Sequence, residues 1–257
     1  MTKTNQQKVK DFLINNGVII VMFILVIYTG FTSDNFFTKN NFMNILMNMS
    51  SRLVIALGIA GCVITAGCDL SAGRMIGFGA CISGMLLQRM DYSGKFFPDM
   101  QPLNVFVVAL IAMLVCAAFG TVTGFFIAYL NVPPFIATLA MMEIVYGIGL
   151  IVTNATPLGG YVEQYTNVSN GKFLGINYLI WIAIIVAVIT WFIFNMTRHG
   201  KYMYAIGGNP QAAEVAGVPV KATLILIYMK AAAMYGLAGF MLGAKAGGAS
   251  VQTGYGY

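Results

Sequence analysis

Seven apolar runs, separated by polar stretches, dominate the chain. The runs hold roughly the ~20 residues that an α-helix needs to cross the ~30 Å hydrocarbon core of a membrane. The pattern therefore predicts an all-α polytopic integral membrane protein with about seven transmembrane helices. The predicted spans are Phe12–Phe31, Phe42–Gly67, Gly73–Met90, Leu103–Leu130, Pro134–Val152, Asn177–Asn195 and Ala222–Gly243.

The composition of the 257 residues leads to the same class of protein. Hydrophobic residues make up 59% of the chain and charged residues 9%, whereas soluble proteins carry about 25% charged residues. The mean hydropathy is +0.81. So few charges cannot cover a water-soluble globule of this size, which excludes soluble enzymes and disordered chains. We expect a single transmembrane domain over residues 1–257.

The charged residues indicate an orientation rather than a nucleic-acid site. Lys3, Lys8 and Lys10 precede the first span, which predicts an uncleaved anchor with a cytoplasmic N-terminus. The net charge is +6, but the 14 lysines and arginines are dispersed, so no nucleic-acid partner is expected. Counting crossings from that N-terminus places residues 196–221 in the cytoplasm.

Few residues are suited to catalysis or metal binding. Four cysteines, namely Cys62, Cys68, Cys81 and Cys116, lie in apolar stretches without CxxC spacing, which predicts buried apolar side chains. The one histidine, His199, lies in the polar segment 196–221, which we interpret as a loop. Because no nucleophile or acid–base cluster accompanies them, the sequence predicts no enzyme, no metal site and no cofactor.

The segment 196–221 contains a short predicted helix with a signal at each end. Asn209 can accept a hydrogen bond as N-cap, Pro210 suits the first helical position, and Gly217 can take the left-handed conformation that ends a helix. A helix of about two turns is marginal in water alone. We therefore expect a cytosolic partner to dock on it, and an ordinary capped connector is the alternative.

Two glycines before this helix, Gly207 and Gly208, belong to neither of the glycine-rich phosphate-binding patterns, G-x-x-x-x-G-K-[ST] and G-x-G-x-x-G. If ATP drives transport, the ATPase must therefore be a separate subunit. A proline at Gly207 or a lysine at Glu214 should uncouple that subunit from the spans, because both residues lie in the proposed docking loop.

A second polar segment, Cys68–Arg74, is too short for a loop in water and too polar for lipid, which predicts a tight turn sheltered by protein. Asp69 can hydrogen-bond turn amides or pair with Arg74, and either contact would hold the hairpin. A role for Asp69, Ser71 and Arg74 in a translocation path is the alternative.

Ionisable residues also occur within the spans, where an unpaired charge is costly. Glu143 lies near the middle of the fifth span, while Arg52 and Lys230 lie in the second and seventh. Pairing of Glu143 with Arg52 or Lys230, and a place for Glu143 in a translocation path, are both open from the sequence.

Six stretches together resemble the permease subunits of bacterial ABC-type monosaccharide importers, the ribose, xylose and galactose group. They follow one another from the second span past the segment 196–221, and several colinear motifs are more specific than any one alone. The stretches are Ile55–Gly61, Asp69–Arg74, Ile127–Val132, Pro134–Leu139, Val145–Gly147 and Ala205–Pro210.

The resemblance implies an ABC importer permease fold and the import of a monosaccharide, galactose or a methyl-galactoside, across the inner membrane. It implies three protein partners: a cytosolic ABC ATPase subunit, a periplasmic sugar-binding protein, and a second permease copy that completes a homodimer surrounded by membrane lipid. It also implies that the segment around residues 209–217 is the coupling helix received by the ATPase. The residues of this coupling loop are Gly207, Gly208, Asn209, Pro210, Ala213, Glu214 and Gly217.

Two features depart from the family pattern. Family members continue with further spans, whereas this chain ends at Tyr257 after the seventh, so we expect it to be shortened at its C-terminus. Glu143 and Ala140 stand where the family usually has an apolar or small residue and a glycine, respectively. A passive sugar facilitator and a non-transporting truncated remnant are the alternative functions.

Overall fold

The computed structural model describes residues 13–33 and 35–256, and the regular structure in this part of the chain is almost entirely helical. These residues fall into two compact units, divided between Leu46 and Met47. In chain order the elements are α1 (Gly17–Thr32), α2 (Lys39–Ile64), α3 (Ala72–Leu86), α4 (Val105–Tyr129), α5 (Pro134–Thr153), α6 (Glu163–Asn170), β1 (Lys172–Phe173), β2 (Ile176–Asn177), α7 (Tyr178–Met196), α8 (Arg198–Gly208), α9 (Pro210–Val215) and α10 (Val220–Ala246).

Five of the helices, α2, α4, α5, α7 and α10, are long and apolar enough to cross a membrane. They agree with five of the predicted spans to within a few residues, so the all-α polytopic class is confirmed. The other two apolar helices, α1 and α3, have 16 and 15 residues. The start of the first predicted span at Phe12 and the three lysines before it lie outside the described residues.

Helices α3 and α10 form the centre of the larger unit. Twelve of the residues of α3 are buried, which is typical of a helix enclosed by protein on all sides. A methyl group added at Gly239 of α10 would lie 2.2 Å from the Ile76 carbonyl oxygen of α3, and one at Gly120 of α4 would lie 2.4 Å from the Tyr228 carbonyl oxygen. Glycine at these positions therefore lets the helix backbones approach one another directly.

Helix α3 is shorter than the predicted third span Gly73–Met90. At 1.5 Å per residue it covers about 22 Å, less than the hydrocarbon core. The turn before it contacts Tyr228 and Tyr235, which lie near the middle of α10. Helix α3 therefore begins about halfway along α10, so the turn that precedes it lies level with the middle of a helix that is long enough to cross a membrane.

Residues 153–176, which join the fifth and sixth predicted spans, form more than an exposed loop. The segment contains α6 and the β1–β2 hairpin, and Leu158, Tyr161 and Tyr165 are buried. The Tyr165 hydroxyl donates a hydrogen bond of 2.7 Å to the Phe240 carbonyl oxygen of α10. The aromatic rings of Tyr161 and Tyr165 thus fix this segment to one end of the bundle, here called the α6 end.

The predicted loop 196–221 consists mostly of α8 and α9. Met203 and Ile206 give α8 a buried face, which the polar sequence around them obscured. Since α10 starts just after α9 and ends beside Leu158, α9 lies at the opposite end of the bundle from α6. We call this end the α9 end.

The last described residues turn back along α3. Gly247 takes a left-handed conformation, with φ of +65°, and ends α10. A methyl group at Gly77 would lie 2.5 Å from the Val251 carbonyl oxygen, and one at Gly254 would lie 1.9 Å from the Gly73 carbonyl oxygen. The segment 251–256, the C-terminal turn, therefore lies against the first turns of α3.

Candidate functional site

Both ends of α9 are capped as predicted. The Asn209 side chain accepts a hydrogen bond of 3.0 Å from the Ala212 amide, and Pro210 occupies the first turn. At the other end Gly217 has φ of +84°, its amide donates to the Glu214 carbonyl, and the Val218 amide donates to the Ala213 carbonyl, each at 3.0 Å. This pair of bonds is a Schellman motif, so a helix of only six residues has defined limits.

Most of the surface of α9 is exposed. Ala213 is its one buried residue, whereas Pro210, Gln211 and Glu214 are exposed and Val215 has 91% of its surface accessible. An apolar side chain at that exposure contributes nothing to the stability of this chain. The helix therefore presents a small mixed apolar and acidic surface that a partner can cover.

Gly207 and Gly208 lie in the last turn of α8 rather than in a loop, which corrects the prediction. A methyl group at Gly207 would lie 1.9 Å from the Ile64 carbonyl oxygen at the end of α2, whereas one at Gly208 would meet nothing within 4 Å beyond its chain neighbours and its own helix backbone. A proline at position 207 would also interrupt α8 itself. Gly207 is therefore a contact between α8 and α2, and Gly208 faces outward.

The carboxylate of Asp69 holds the turn between α2 and α3. Its Oδ1 accepts hydrogen bonds from the Ser71 amide at 3.0 Å and the Ser71 hydroxyl at 2.6 Å, while its Oδ2 accepts one from the Tyr235 hydroxyl at 3.1 Å. The prediction that Asp69 bonds turn amides is confirmed. The alternative pairing with Arg74 is wrong, because the guanidinium of Arg74 is directed to a different group of residues.

Arg74 belongs to a cluster with Tyr146, Gln252 and Tyr255, which we call the mid-depth cluster. The Arg74 Nη1 donates a hydrogen bond of 2.8 Å to the Gln252 Oε1, and the Gln252 Nε2 donates one of 3.1 Å to the Tyr146 hydroxyl. The guanidinium carbon of Arg74 lies 3.9 Å from the centre of the Tyr146 ring and 5.0 Å from that of Tyr255. Cation–π contacts and hydrogen bonds thus join α3, α5 and the C-terminal turn.

Glu143 is exposed on α5, one helical turn before Tyr146. In the part of the chain that the structure describes, no ion pair joins it to Arg52 or Lys230, so the pairing alternative that the sequence left open does not form. Residues three apart on a helix lie on the same face. Glu143 therefore lies on the same face of α5 as the mid-depth cluster.

His199 lies in α8 and not in a loop. Its Nε2 atom is buried and has no hydrogen-bond partner among residues 13–33 and 35–256. Burial, and secondarily the positive charge of Lys230, lower the pKa of His199 to about 4. The side chain is therefore neutral at physiological pH, and its contribution is to packing between α8 and α10.

Sequence reasoning missed Tyr146, Tyr235, Gln252 and Tyr255. These residues meet Arg74 and Asp69 across separations of up to 178 positions along the chain, so no local pattern joins them. Tyrosine within an apolar span was the one available signal, because its hydroxyl needs a partner in lipid. Three cysteines, Cys62, Cys81 and Cys116, are buried as predicted, and Cys68 is half-buried.

Comparisons with known proteins agree with the resemblance drawn from the six stretches. Residues 41–257 match the family described as the branched-chain amino acid transport system, permease component. The galactose/methyl galactoside import permease protein MglC of Escherichia coli (strain K12) is 37% identical, and that of Haemophilus influenzae (strain ATCC 51907) 39%, each over 100% of this chain and 79% of the relative. The ribose import permease protein RbsC of Escherichia coli (strain K12) is 31% identical over 96% of this chain and 75% of the relative. No solved structure matches the chain.

The family match begins within α2 and extends through the end of the chain, so it includes the Asp69 turn, the mid-depth cluster and α9. The five apolar helices of spanning length within residues 13–33 and 35–256 agree with a multi-pass permease. The chain belongs to the family described as the branched-chain amino acid transport system, permease component.

Proposed function

We propose that the chain is the membrane-spanning subunit of an ATP-driven importer that carries galactose or a methyl-galactoside across the bacterial inner membrane. The observation that carries this proposal is the similarity, over the whole chain, to two relatives named galactose/methyl galactoside import permease proteins. The ribose import permease of Escherichia coli has a lower identity, which favours galactose over ribose as the sugar. ATP hydrolysis is assigned to a partner, since the sequence carries no phosphate-binding pattern.

The surface of α9 is the proposed contact with the ATPase. Its caps define a rigid helix, and its exposed Val215 and Glu214 have no role within the described chain that would explain their position. A rigid, partly apolar helix suits a pocket in another protein, because docking buries Val215 without ordering a flexible loop. This end of the chain faces the cytoplasm in the proposed orientation.

A continuous set of contacts leads from α9 to the middle of the membrane. Gly207, just before α9, lies against the Ile64 carbonyl at the end of α2, and the chain then enters the turn held by Asp69. Tyr235 ties this turn to α10. Movement of α9 would therefore be transmitted through α2 to the start of α3, which is the requirement for coupling ATP binding to a change of access.

The face that carries the mid-depth cluster and Glu143 is the proposed wall of the translocation path. Charged groups at mid-membrane depth face protein or water rather than lipid. Because Arg74, Gln252 and Glu143 are at least partly exposed on one chain, a second permease copy across from them would complete the path. A periplasmic binding protein would deliver the sugar at the α6 end.

Initial uptake rates test the proposal. Cells that lack their own galactose and ribose importers would express the chain with its ATPase and binding protein, and radiolabelled D-galactose and D-ribose would be supplied separately. We expect galactose uptake that disappears when the ATPase is deleted. Uptake that persists without the ATPase would identify a facilitator, faster ribose uptake would reassign the sugar, and no uptake at all would identify a non-transporting remnant.

A further inference from the structure

The mid-depth cluster has the chemistry of a sugar-binding site, and we propose that Arg74, Tyr146 and Tyr255 contact the transported sugar directly while Gln252 holds them in place. This inference rests on the proposed function and names the residues that the sugar meets in the path. Arg74 is already a path candidate from the sequence, with Asp69, Ser71 and Glu143. The new roles are those of Tyr146 in α5 and of Gln252 and Tyr255 in the C-terminal turn.

The first support is the location of the cluster. Arg74 lies in the first turn of α3, and α3 begins about halfway along α10, next to Tyr235. Tyr255 is 74% exposed, and Arg74 and Tyr146 are half-buried, so this polar surface remains accessible at mid-depth. Lipid cannot cover an accessible guanidinium there at low cost, which leaves water or a polar solute as the natural contact.

The second support is the supply of unused hydrogen-bond donors. A guanidinium has five N–H groups, and within the described residues Arg74 donates one hydrogen bond, to Gln252. The Tyr146 hydroxyl accepts a hydrogen bond from Gln252 and keeps its own hydrogen to donate. Gln252 is bonded at both ends of its amide, to Arg74 through Oε1 and to Tyr146 through Nε2, so it fixes the positions of the other two polar groups.

The third support is the combination of donors with aromatic rings. A pyranose has hydroxyl groups around its edge and an apolar face of C–H groups, which pack against the negative face of an aromatic ring. The exposed Tyr255 ring lies with its centre 5.0 Å from the Arg74 guanidinium carbon, so one sugar can contact both. Sites of this kind combine an apolar wall with a few fixed polar groups.

The charge on this face favours a neutral solute. The positive Arg74 is accompanied by Glu143, which lies one helical turn from Tyr146 on the same exposed face of α5. An anionic solute would gain from the arginine and lose to the carboxylate. A neutral polyhydroxylated ring can use both groups as hydrogen-bond partners, which fits a monosaccharide better than a sugar phosphate or a sugar acid.

Four variants separate the roles in an uptake assay with D-galactose. Gln252→Leu removes both amide hydrogen bonds at similar size, and we expect it to raise the KM for uptake about tenfold or more. Tyr255→Ala should lower kcat/KM about tenfold, whereas Tyr255→Phe keeps the ring and should stay within about twofold. Tyr28→Ala, which removes an exposed tyrosine from α1, is the matched control and should leave uptake unchanged.

Direct binding separates this inference from the proposed function. Saturation-transfer NMR would be measured with D-galactose and the full chain in nanodiscs, and retention of the ATPase would verify that each variant folds. Signal in the wild type that Gln252→Leu and Tyr255→Ala abolish supports the site. If the wild type takes up galactose and the two variants take it up at the same rate, the site is wrong and the proposed function stands. If galactose binding depends on the cluster but no uptake occurs, the proposed function is overturned and the site is supported. If neither binding nor uptake occurs, the proposed function and the site are both overturned.

Discussion

The hydroxyl of Tyr235 illustrates how single residues hold a polar turn inside a membrane. Tyr235 is fully buried, and its hydroxyl supplies one of the three hydrogen bonds that the Asp69 carboxylate accepts. A carboxylate at this depth is tolerated only when its oxygens are satisfied. The turn before α3 therefore depends on a residue of α10 as well as on its own amides.

Replacing Tyr235 by phenylalanine should destabilise the chain by about 1.5–3 kcal/mol, because a charged acceptor loses a hydrogen bond. The matched variant is Tyr228→Phe, whose hydroxyl donates a longer bond of 3.4 Å to the Cys68 carbonyl. We expect Tyr228→Phe to cost clearly less, and the apparent Tm in detergent measures both. Equal shifts in Tm for the two variants would show that the Asp69 contact has no special importance.

The pH dependence of stability provides a second residue-scale prediction. The pKa of His199 is about 4, below its ordinary value of 6.5, because of burial and then because of Lys230. The unfolded chain takes up this proton at higher pH than the folded chain, so the stabilising contribution is complete above about pH 6.5 and is lost as the pH falls toward about 4. Between about pH 7.5 and about pH 5, the Tm of the wild type should fall more than that of His199→Gln. The same fall in both proteins would contradict a neutral histidine whose Nε2 atom is buried.

Residue-level predictions from sequence succeeded where the partners are close along the chain. The caps of α9 and the bonds of Asp69 to Ser71 span only a few positions. For Arg74 and Glu143 the sequence left pairing alternatives open, and those pairings do not form within the described residues, because the surroundings of both side chains depend on the packing of α3, α5 and the C-terminal turn. Such contacts between distant residues leave no periodic trace in the sequence.

At the scale of elements, the contact between α8 and α2 is the most restrictive. The Gly207 backbone lies so close to the Ile64 carbonyl that a methyl group there would be 1.9 Å from its oxygen. The Gly207 Cα atom and the Ile64 carbonyl oxygen both belong to helix backbones, so neither can move unless its helix moves. The contact therefore links α9, which follows α8, to the turn that follows α2.

Substitution of Gly207 by alanine should force α8 away from α2 and reduce ATP-dependent uptake several-fold while the chain still inserts. Gly208→Ala is the matched control, since its methyl group would meet nothing within 4 Å beyond its chain neighbours and its own helix backbone. Alanine also favours helix by about 1 kcal/mol over glycine, so this control should be neutral or slightly stabilising. Uptake rates and Tm measure both variants, and identical behaviour would exclude the close contact as the link.

Long apolar helices could be predicted from sequence because the thickness of the membrane sets their length. Helix α3 was predicted too long, because its apolar composition extends past Leu86 although its backbone does not. The helices α8 and α6 were missed as elements since each buries only a few side chains within a polar sequence. Hydropathy measures transfer to lipid and does not register this burial against protein.

For the whole molecule, the two proposed functional surfaces lie in different places. The exposed α9 lies at one end of the bundle, and the mid-depth cluster lies about halfway along α10. An ATP-driven permease needs one surface for the ATPase and another for the solute, connected by structure that transmits movement. We propose α9 and the mid-depth cluster as these two surfaces, with the contacts through Gly207 and Asp69 between them.

Charge reversal on α9 tests the ATPase surface at this scale. Glu214→Lys should abolish co-purification with the ATPase in mild detergent, because it changes the charge of the exposed face without touching the caps. Glu163→Lys makes the same change in α6, at the opposite end of the bundle, and should retain the ATPase. Loss of the ATPase in both variants would indicate a general effect of charge, and retention in both would rule out α9 as the docking surface.

Sugar uptake by reconstituted vesicles is the most direct measurement of the central claim. The chain, its ATPase and its binding protein would be placed in proteoliposomes with ATP, or with a non-hydrolysable analogue, on the side of the ATPase. We predict that D-galactose accumulates above its external concentration with ATP and does not with the analogue. Equal entry under both conditions, stopping at the external concentration, would contradict an ATP-driven permease and identify a passive facilitator.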